Sequence, residues 1–240
     1  MVLKRKWLEV LSNETGELFM SISFTQFNVA DGVDLIQAAR TLSKSLFEFG
    51  FYSRDSLVSV SYDDEMNAFV DAQDLGVAPN QLMFASKPVD IIELQTGFAI
   101  SYVNPTLEVS LTARLINYNE SSICIVEIND RHFYTLFNPE NLKIFTGLLL
   151  ASCKCIGGLA GFGAMEVEWE PYNKNEVVRF LSDGPPEYEG KQPPVGIIKT
   201  DYLNSNRLLV GDLQLHFDFV VAEEYTILLR KGAAELFSSL

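Results

Sequence analysis

Segments of this chain recur at a spacing of 106 to 107 residues, and no other feature constrains its fold as much. Pro88-Val89-Asp90-Ile91-Ile92 returns as Pro194-Val195-Gly196-Ile197-Ile198. The alternating Leu107, Val109 and Leu111 return as Leu213, Leu215 and Phe217. Val58, Val60 and Tyr62 return as Met165, Val167 and Trp169, and Asn13-Glu14 returns as Asn119-Glu120. A constant offset across turns, strands and helix caps is the trace of one supersecondary unit used twice. The expected fold class is therefore α+β. It is a tandem duplication of a unit of about 107 residues in the order β-β-α-β-α-β-β. Its sheets are mostly antiparallel with helices packed on one face, and a C-terminal helix closes the chain. The first repeat spans 1–118 and the second 119–240, packed as one compact body.

Within the first repeat, Lys6 to Leu11 and Glu17 to Phe27 read as strands, the second with a period near two. Asp31 reads as the N-cap of a helix whose Leu35, Ala39, Leu42, Leu46 and Phe49 form one buried stripe, with Gly50 ending it. Leu57 to Tyr62 is expected as a strand, Asp64 to Gln73 as a short helix, and Ile91 to Val103 and Thr106 to Asn117 as strands.

In the second repeat, Ile123 to Ile128 and His132 to Phe137 read as extended. Asn138 reads as an N-cap with Pro139 at the first helical position. The helix that follows, to Ile156, is apolar nearly all round, which predicts burial on both sides, between the repeats. Gly157 and Gly158 end it, Ala164 to Trp169 forms a strand, and Asn175 to Leu181 a short helix. Pro and Gly from Ser182 to Pro194 mark a surface loop. Strands are expected at Gly196 to Thr200, Asn206 to Val210 and Asp212 to Val221, and a helix from Ala222 to Leu240.

Charge narrows the class of partner. The 240 residues carry 32 acids against 18 bases, a net charge of −14, while 48% of residues are hydrophobic. Nucleic acid is excluded as a partner on this balance, because its affinity comes from Lys and Arg neutralising phosphates. Anionic membrane surfaces are excluded for the same reason. A basic protein would be steered toward such a chain. The basic Lys4-Arg5-Lys6 has no apolar run behind it, so a secretory signal is not expected. The most apolar stretch, Ile144 to Met165, is broken by Lys154 and five glycines, too short for a bilayer span. Three cysteines, Cys124, Cys153 and Cys155, are an odd number and fit reduced thiols in the cytoplasm.

Candidate chemistry is sparse. Cys153-Lys154-Cys155 has the wrong spacing for zinc, and His132 and His216 are remote, so no metal and no cofactor is expected. Burial in an apolar helix would raise the pKa of Cys153 and Cys155 and blunt them as nucleophiles. The run Gly157-Gly158-Leu159-Ala160-Gly161-Phe162-Gly163 follows a helix and precedes a strand, the reverse of a phosphate loop.

Carboxylates remain. Glu166, Glu168 and Glu170 share one face of a strand, and Asp63, Asp64 and Glu65 follow the corresponding strand of the first repeat. Three acids at a two-residue period repel unless solvated or facing a basic partner. Tyr172 and Tyr188, beside the Pro-rich loop, supply apolar anchors at the margin of that acidic face. These eight residues form the expected partner-binding set.

Acidic α+β proteins without catalytic signatures resemble, as a class, immunity proteins that neutralise basic toxins; this is analogy only. The expectation is a cytoplasmic, non-catalytic protein-binding module, an immunity or inhibitor protein taking a basic partner. Two other readings stand beside it. One is an enzyme with an inter-repeat site of carboxylates and His132 or His216. The other is a structural or assembly subunit that packs Leu142 to Ile156, or the C-terminal helix, on another chain. The sequence is silent on oligomeric state.

Overall fold

The computed structural model describes residues 23–53, 58–62, 69–74, 97–118, 121–129, 132, 135–136, 140–165, 173–184 and 193–232. Among these residues eleven strands form one sheet: β1 Ser23–Asp31, β2 Tyr52–Ser53, β3 Val58–Tyr62, β4 Phe69–Asp74, β5 Gly97–Asn104, β6 Val109–Tyr118, β7 Ser121–Asn129, β8 Ala160–Met165, β9 Val195–Lys199, β10 Phe217–Ala222 and β11 Tyr225–Arg230. Their order is β10-β11-β9-β8-β1-β7-β6-β5-β3-β4, with β2 also on β5. Each of these pairings is antiparallel. At the centre β1 pairs with β7 from Ser23↔Asn129 to Asp31↔Ser121, and β8 lies on its other side. The class is α+β with a large antiparallel sheet.

Alternation along the strands divides two cores. Ala30, Leu115, Cys124, Val126, Ile197 and Ile227 face one layer; Val29, Ile116, Ile123, Ile125, Ile198 and Leu228 face the other. The first layer holds helices α1 Leu35–Glu48 and α2 Leu142–Lys154. The second holds α3 Lys174–Asp183, α4 Thr200–Ser205 and α5 Arg207–His216. Helices thus cover both faces, not the single face expected, because β8, β9 and β11 are apolar on both sides and each side must be covered.

Helix α1 follows from local chemistry. Its N-cap is Asp34, whose Oδ1 accepts from the amides of Ile36 and Gln37 at 2.9 and 3.2 Å. Asp31, the expected cap, is instead the last residue of β1, where pairing with Ser121 extends the strand. Leu35, Ala38, Ala39, Leu42, Ser43 and Leu46 are buried along one stripe. Gly50 ends the turn at φ +79°, a region that L side chains rarely adopt. Asn104 locks this end: its Nδ2 donates to Phe49 O at 3.0 Å, and its Oδ1 accepts from the amides of Thr106 and Leu107.

Helix α2 starts after Asn141, which makes no side-chain capping bond, and Asn138 lies outside the described residues. It lies on β7, β1 and β9 with α1 beside it, rather than sandwiched between two units. Gly147 is the point of approach, since a Cβ there would collide with the Phe49 ring. A sheet beneath and a helix alongside account for the apolar circumference. Gly157, at φ +63°, ends the helical turn, and the glycine run then continues into β8 as Gly161 and Gly163. That strand starts at Ala160, four residues before the expected Ala164.

Four further expectations are corrected. The stretch Asp64 to Gln73 is strand β4 over its described part, because β3 supplies its hydrogen bonds from Val58↔Asp74 onward. His132, Thr135 and Leu136 are helical rather than extended. Asn206 to Val210 and the first half of Asp212 to Val221 are helix α5, capped by Asn206 Oδ1 accepting from the Leu209 amide at 3.2 Å. Beyond Ala222 the chain forms β11, not a helix: a two-residue turn at Glu223-Glu224 returns it between β10 and β9, so Tyr225 to Leu228 are buried on both faces. A continuous apolar run of that kind has no period by which to tell strand from helix. Strands β3, β5, β6, β7 and β9 and helix α3 form where expected over their described residues, α3 opening on a full capping box between Asn173 and Glu176, while the expected strand Lys6 to Leu11 and most of the Ser182 to Pro194 loop lie outside the described residues.

Candidate functional site

Glu166, Glu168, Glu170, Tyr172, Tyr188, Asp63, Asp64 and Glu65 all lie outside the described residues. The other candidates are placed. Cys124, Cys153 and Cys155 are buried and free in the α1–α2 layer. Desolvation pushes the Cys153 and Cys155 thiols well up from their ordinary value, with Tyr225 lowering Cys153 only in part. The same desolvation raises the Tyr102 and Tyr225 phenols, which are held by Ser43 Oγ at 2.7 Å and by Gly158 O at 3.0 Å. These groups are packing elements with satisfied polar tips, and their thiols stay protonated at neutral pH.

Histidine 132 closes the end of a ladder. β6 and β7 pair from Thr112↔Glu127 to Tyr118↔Ser121, and just beyond that ladder His132 Nδ1 lies 3.1 Å from the Ser110 amide. The same nitrogen lies 3.1 Å from Ser110 Oγ and 3.0 Å from Ser110 O, so whether it accepts or donates there is set by the tautomer. His216 is the last residue of α5, and its carbonyl accepts from Lys231 N at 2.9 Å. Among the described residues no group of three or more His, Cys, Asp or Glu is placed to hold a metal ion. No described helix is long and apolar enough to cross a membrane.

The sheet face that carries α3 to α5 changes character toward β5. There Ser101, Ser110, Thr112, Arg114 and Glu127 replace the apolar residues, each half-buried. Arg114 Nη2 and Glu127 Oε2 are 3.0 Å apart on adjacent strands. Burial raises the Glu127 carboxyl above its ordinary value, and Arg114 offsets part of that rise.

A different chemistry marks the far end of the sheet. On α5, Leu209 and Leu213 are buried, one helical turn apart, so the opposite side of the helix faces outward. That side carries Leu208, 83% exposed, and Leu215, 70% exposed, seven residues apart on one stripe. Strand β10 adds Val221, 69% exposed on the α5 side of the sheet, while Val220, 41% exposed, lies on the other face. Large apolar side chains this exposed, grouped on one helix and the strand it leads into, mark a candidate interaction surface. Between Thr200 and Tyr225 the chain also exposes Asp201, Asp212, Asp218, Glu223 and Glu224, against Arg207 as the exposed cation. Glu223 contacts Lys154, and its φ of +57° fixes a tight hairpin turn.

Sequence reading missed this surface because Leu213, Leu215 and Phe217 alternate as a strand would. The discriminating signal was Asn206 as a cap, with Leu209 and Leu213 four apart, which places Leu208 and Leu215 outside. Compared with protein-family models, with curated proteins and with solved structures, the chain matches none.

Proposed function

We propose that this chain is a non-catalytic, acidic protein-binding module of the cytoplasm that takes a basic protein partner, as an immunity or inhibitor protein does. One observation carries the reading. The segment from Asp201 to Glu224 presents exposed Leu208, Leu215 and Val221 on the α5 side of the sheet, among five exposed carboxylates and one exposed arginine. Apolar anchors ringed by one sign of charge suit a partner of the opposite sign. The net charge of −14 would speed its encounter. Nucleic acid and membranes have no part in this reading.

The eight acidic and aromatic residues named from sequence remain a second contact region in this proposal. The test is binding of the whole chain to a basic and to an acidic protein of equal size, at low and at high salt. Selective, salt-sensitive capture of the basic protein is the expected result; equal binding of both would sink the reading. Substituting Glu166→Lys, Glu168→Lys and Glu170→Lys together should weaken capture, and unchanged affinity would remove that face.

We also infer that the two halves descend from one duplicated unit. Helices α1 and α2 begin 107 residues apart, at Leu35 and Leu142, on the same layer. Each follows a half's first described strand, and those two strands, β1 and β7, are partners at the sheet centre. One landmark diverges, since Val109 and Leu111 are in a strand while Leu213 and Leu215 are in a helix, and Asn13-Glu14, Pro88 to Ile92, Asn119-Glu120, Val167 and Trp169 lie outside the described residues.

A further inference from the structure

Among the described residues the outer edge of β10 is an open template. Among the described residues no strand lies beyond β10, while β11 fills its inner side from Phe217↔Arg230 to Ala222↔Tyr225. Which backbone groups face outward follows from the register. Lys231 N donates to His216 O at 2.9 Å, so His216 and every second residue after it turn their N–H and C=O toward β11. The N–H and C=O of Phe217, Phe219 and Val221 therefore point away from the sheet.

Sheet edges in soluble proteins are usually blunted by Lys, Pro, a bulge or very short length. β10 has none of these: it is six residues long, FDFVVA, and its register with β11 is unbroken. Its single charge is Asp218, and Val220 and Val221 are exposed on opposite faces. Unpaired backbone groups give an incoming strand affinity, and the alternating side chains beside them give it selectivity.

We propose that β10 docks an extended basic segment of a partner protein as an added edge strand. This rests on the acidic-module reading above and names its mode of contact. A cationic side chain would lie across from Asp218, and an apolar one beside Val220 or Val221. Charge decides against a second copy of this chain as the occupant. Self-pairing would bring Asp212, Asp218, Glu223 and Glu224 of two chains together, on molecules that each carry −14.

The probe is a short alternating Lys–Val peptide, about six residues to match an average strand. Its binding to the full-length chain is read by fluorescence anisotropy, beside a Glu–Val peptide of equal length. The Lys–Val peptide should bind, weaken with salt and outcompete Glu–Val. Val221→Pro deletes an outward N–H without touching the β11 ladder, where an edge proline is tolerated. It should lower affinity about tenfold or more, the factor carried by one good backbone hydrogen bond. Peptides N-methylated at alternate amides leave the protein unaltered. One methylation register should abolish binding and the other should spare it.

Equal binding of both methylation registers, or no effect of Val221→Pro in a folded variant, overturns the docking strand. If a basic protein is still captured in a salt-sensitive manner, the acidic-module reading survives that result. Equal affinity for Lys–Val and Glu–Val overturns the basic occupant, and the module reading with it. A dimer that Val221→Pro converts to monomer assigns the edge to a second copy and overturns the proposal.

Discussion

Two side chains show how single residues set local balance. Glu127 and Arg114 form an ion pair with each side chain about a third exposed, where such a pair contributes about 0–1 kcal/mol. Burial nevertheless dominates the carboxyl and raises its pKa. A raised folded pKa means the native state holds that proton more tightly than the unfolded chain does. The stabilisation is complete below the unfolded carboxylate pKa and is lost as pH rises through the higher folded value. Arg114→Met removes the lowering influence, so the Glu127 midpoint should move further up in a 13C carboxyl titration. A downward shift would show that Arg114 is not its dominant counter-charge. Asn104 acts differently, through three hydrogen bonds joining the end of α1 to the β5–β6 turn. Asn104→Ala leaves those backbone groups unpaired and should cost about 2–3 kcal/mol, read as a lower urea midpoint at unchanged slope. An unchanged midpoint would mean that water replaces the side chain there.

At the scale of elements, α5 separates what was legible from what was not. Helix α1 was legible because its buried residues recur at three and four and Gly50 stops it; only the cap was misread, as Asp31 for Asp34. The second helix and the strands β3, β5, β6, β7 and β9 were legible from length, alternation and turns. Helix α5 was hidden, since Leu213, Leu215 and Phe217 alternate while the element boundary falls at His216 and Phe217. Nor could β11 be told from a helix, because both its faces are covered. The two structures predict opposite results for two leucines. In a strand, Leu213 and Leu215 share a face and tolerate polar substitution alike. In α5, Leu213 is fully buried and Leu215 is exposed. Leu213→Ala should therefore cost about 2–5 kcal/mol, and Leu215→Ser should change stability by no more than about 0.5 kcal/mol. Equal costs in chemical denaturation would restore the strand. A basic partner should nonetheless bind Leu215→Ser more weakly, since that side chain belongs to the exposed stripe.

The described strands of the two halves are joined through β1 and β7. β1, from the first half, has β7 and β8 of the second half as its two neighbours. β7 in turn has β1 and β6, both of the first half. Cutting the chain between the expected repeats, after Tyr118, would strand β1 from β3 to β6 and leave β7 with no neighbour among the described strands. Fragment 1–118 would expose both edges of β1 and one edge of β6, and fragment 119–240 both edges of β7 and one edge of β8. This long-range exchange has no local signature, so the sequence offset suggested two units but not that each completes the other's sheet. The intact chain should unfold in one transition, coincident by far-UV circular dichroism and by tyrosine fluorescence. Fragments 1–118 and 119–240 should each lack a cooperative transition when purified alone. Co-expressed, they should recover one, eluting together at the mass of the intact chain, because pairing restores β7-β1-β8. A cooperative transition in fragment 119–240 by itself would show that β8 to β11 and their helices suffice as a folding unit, and that β1 is an accessory to the sheet rather than its keystone.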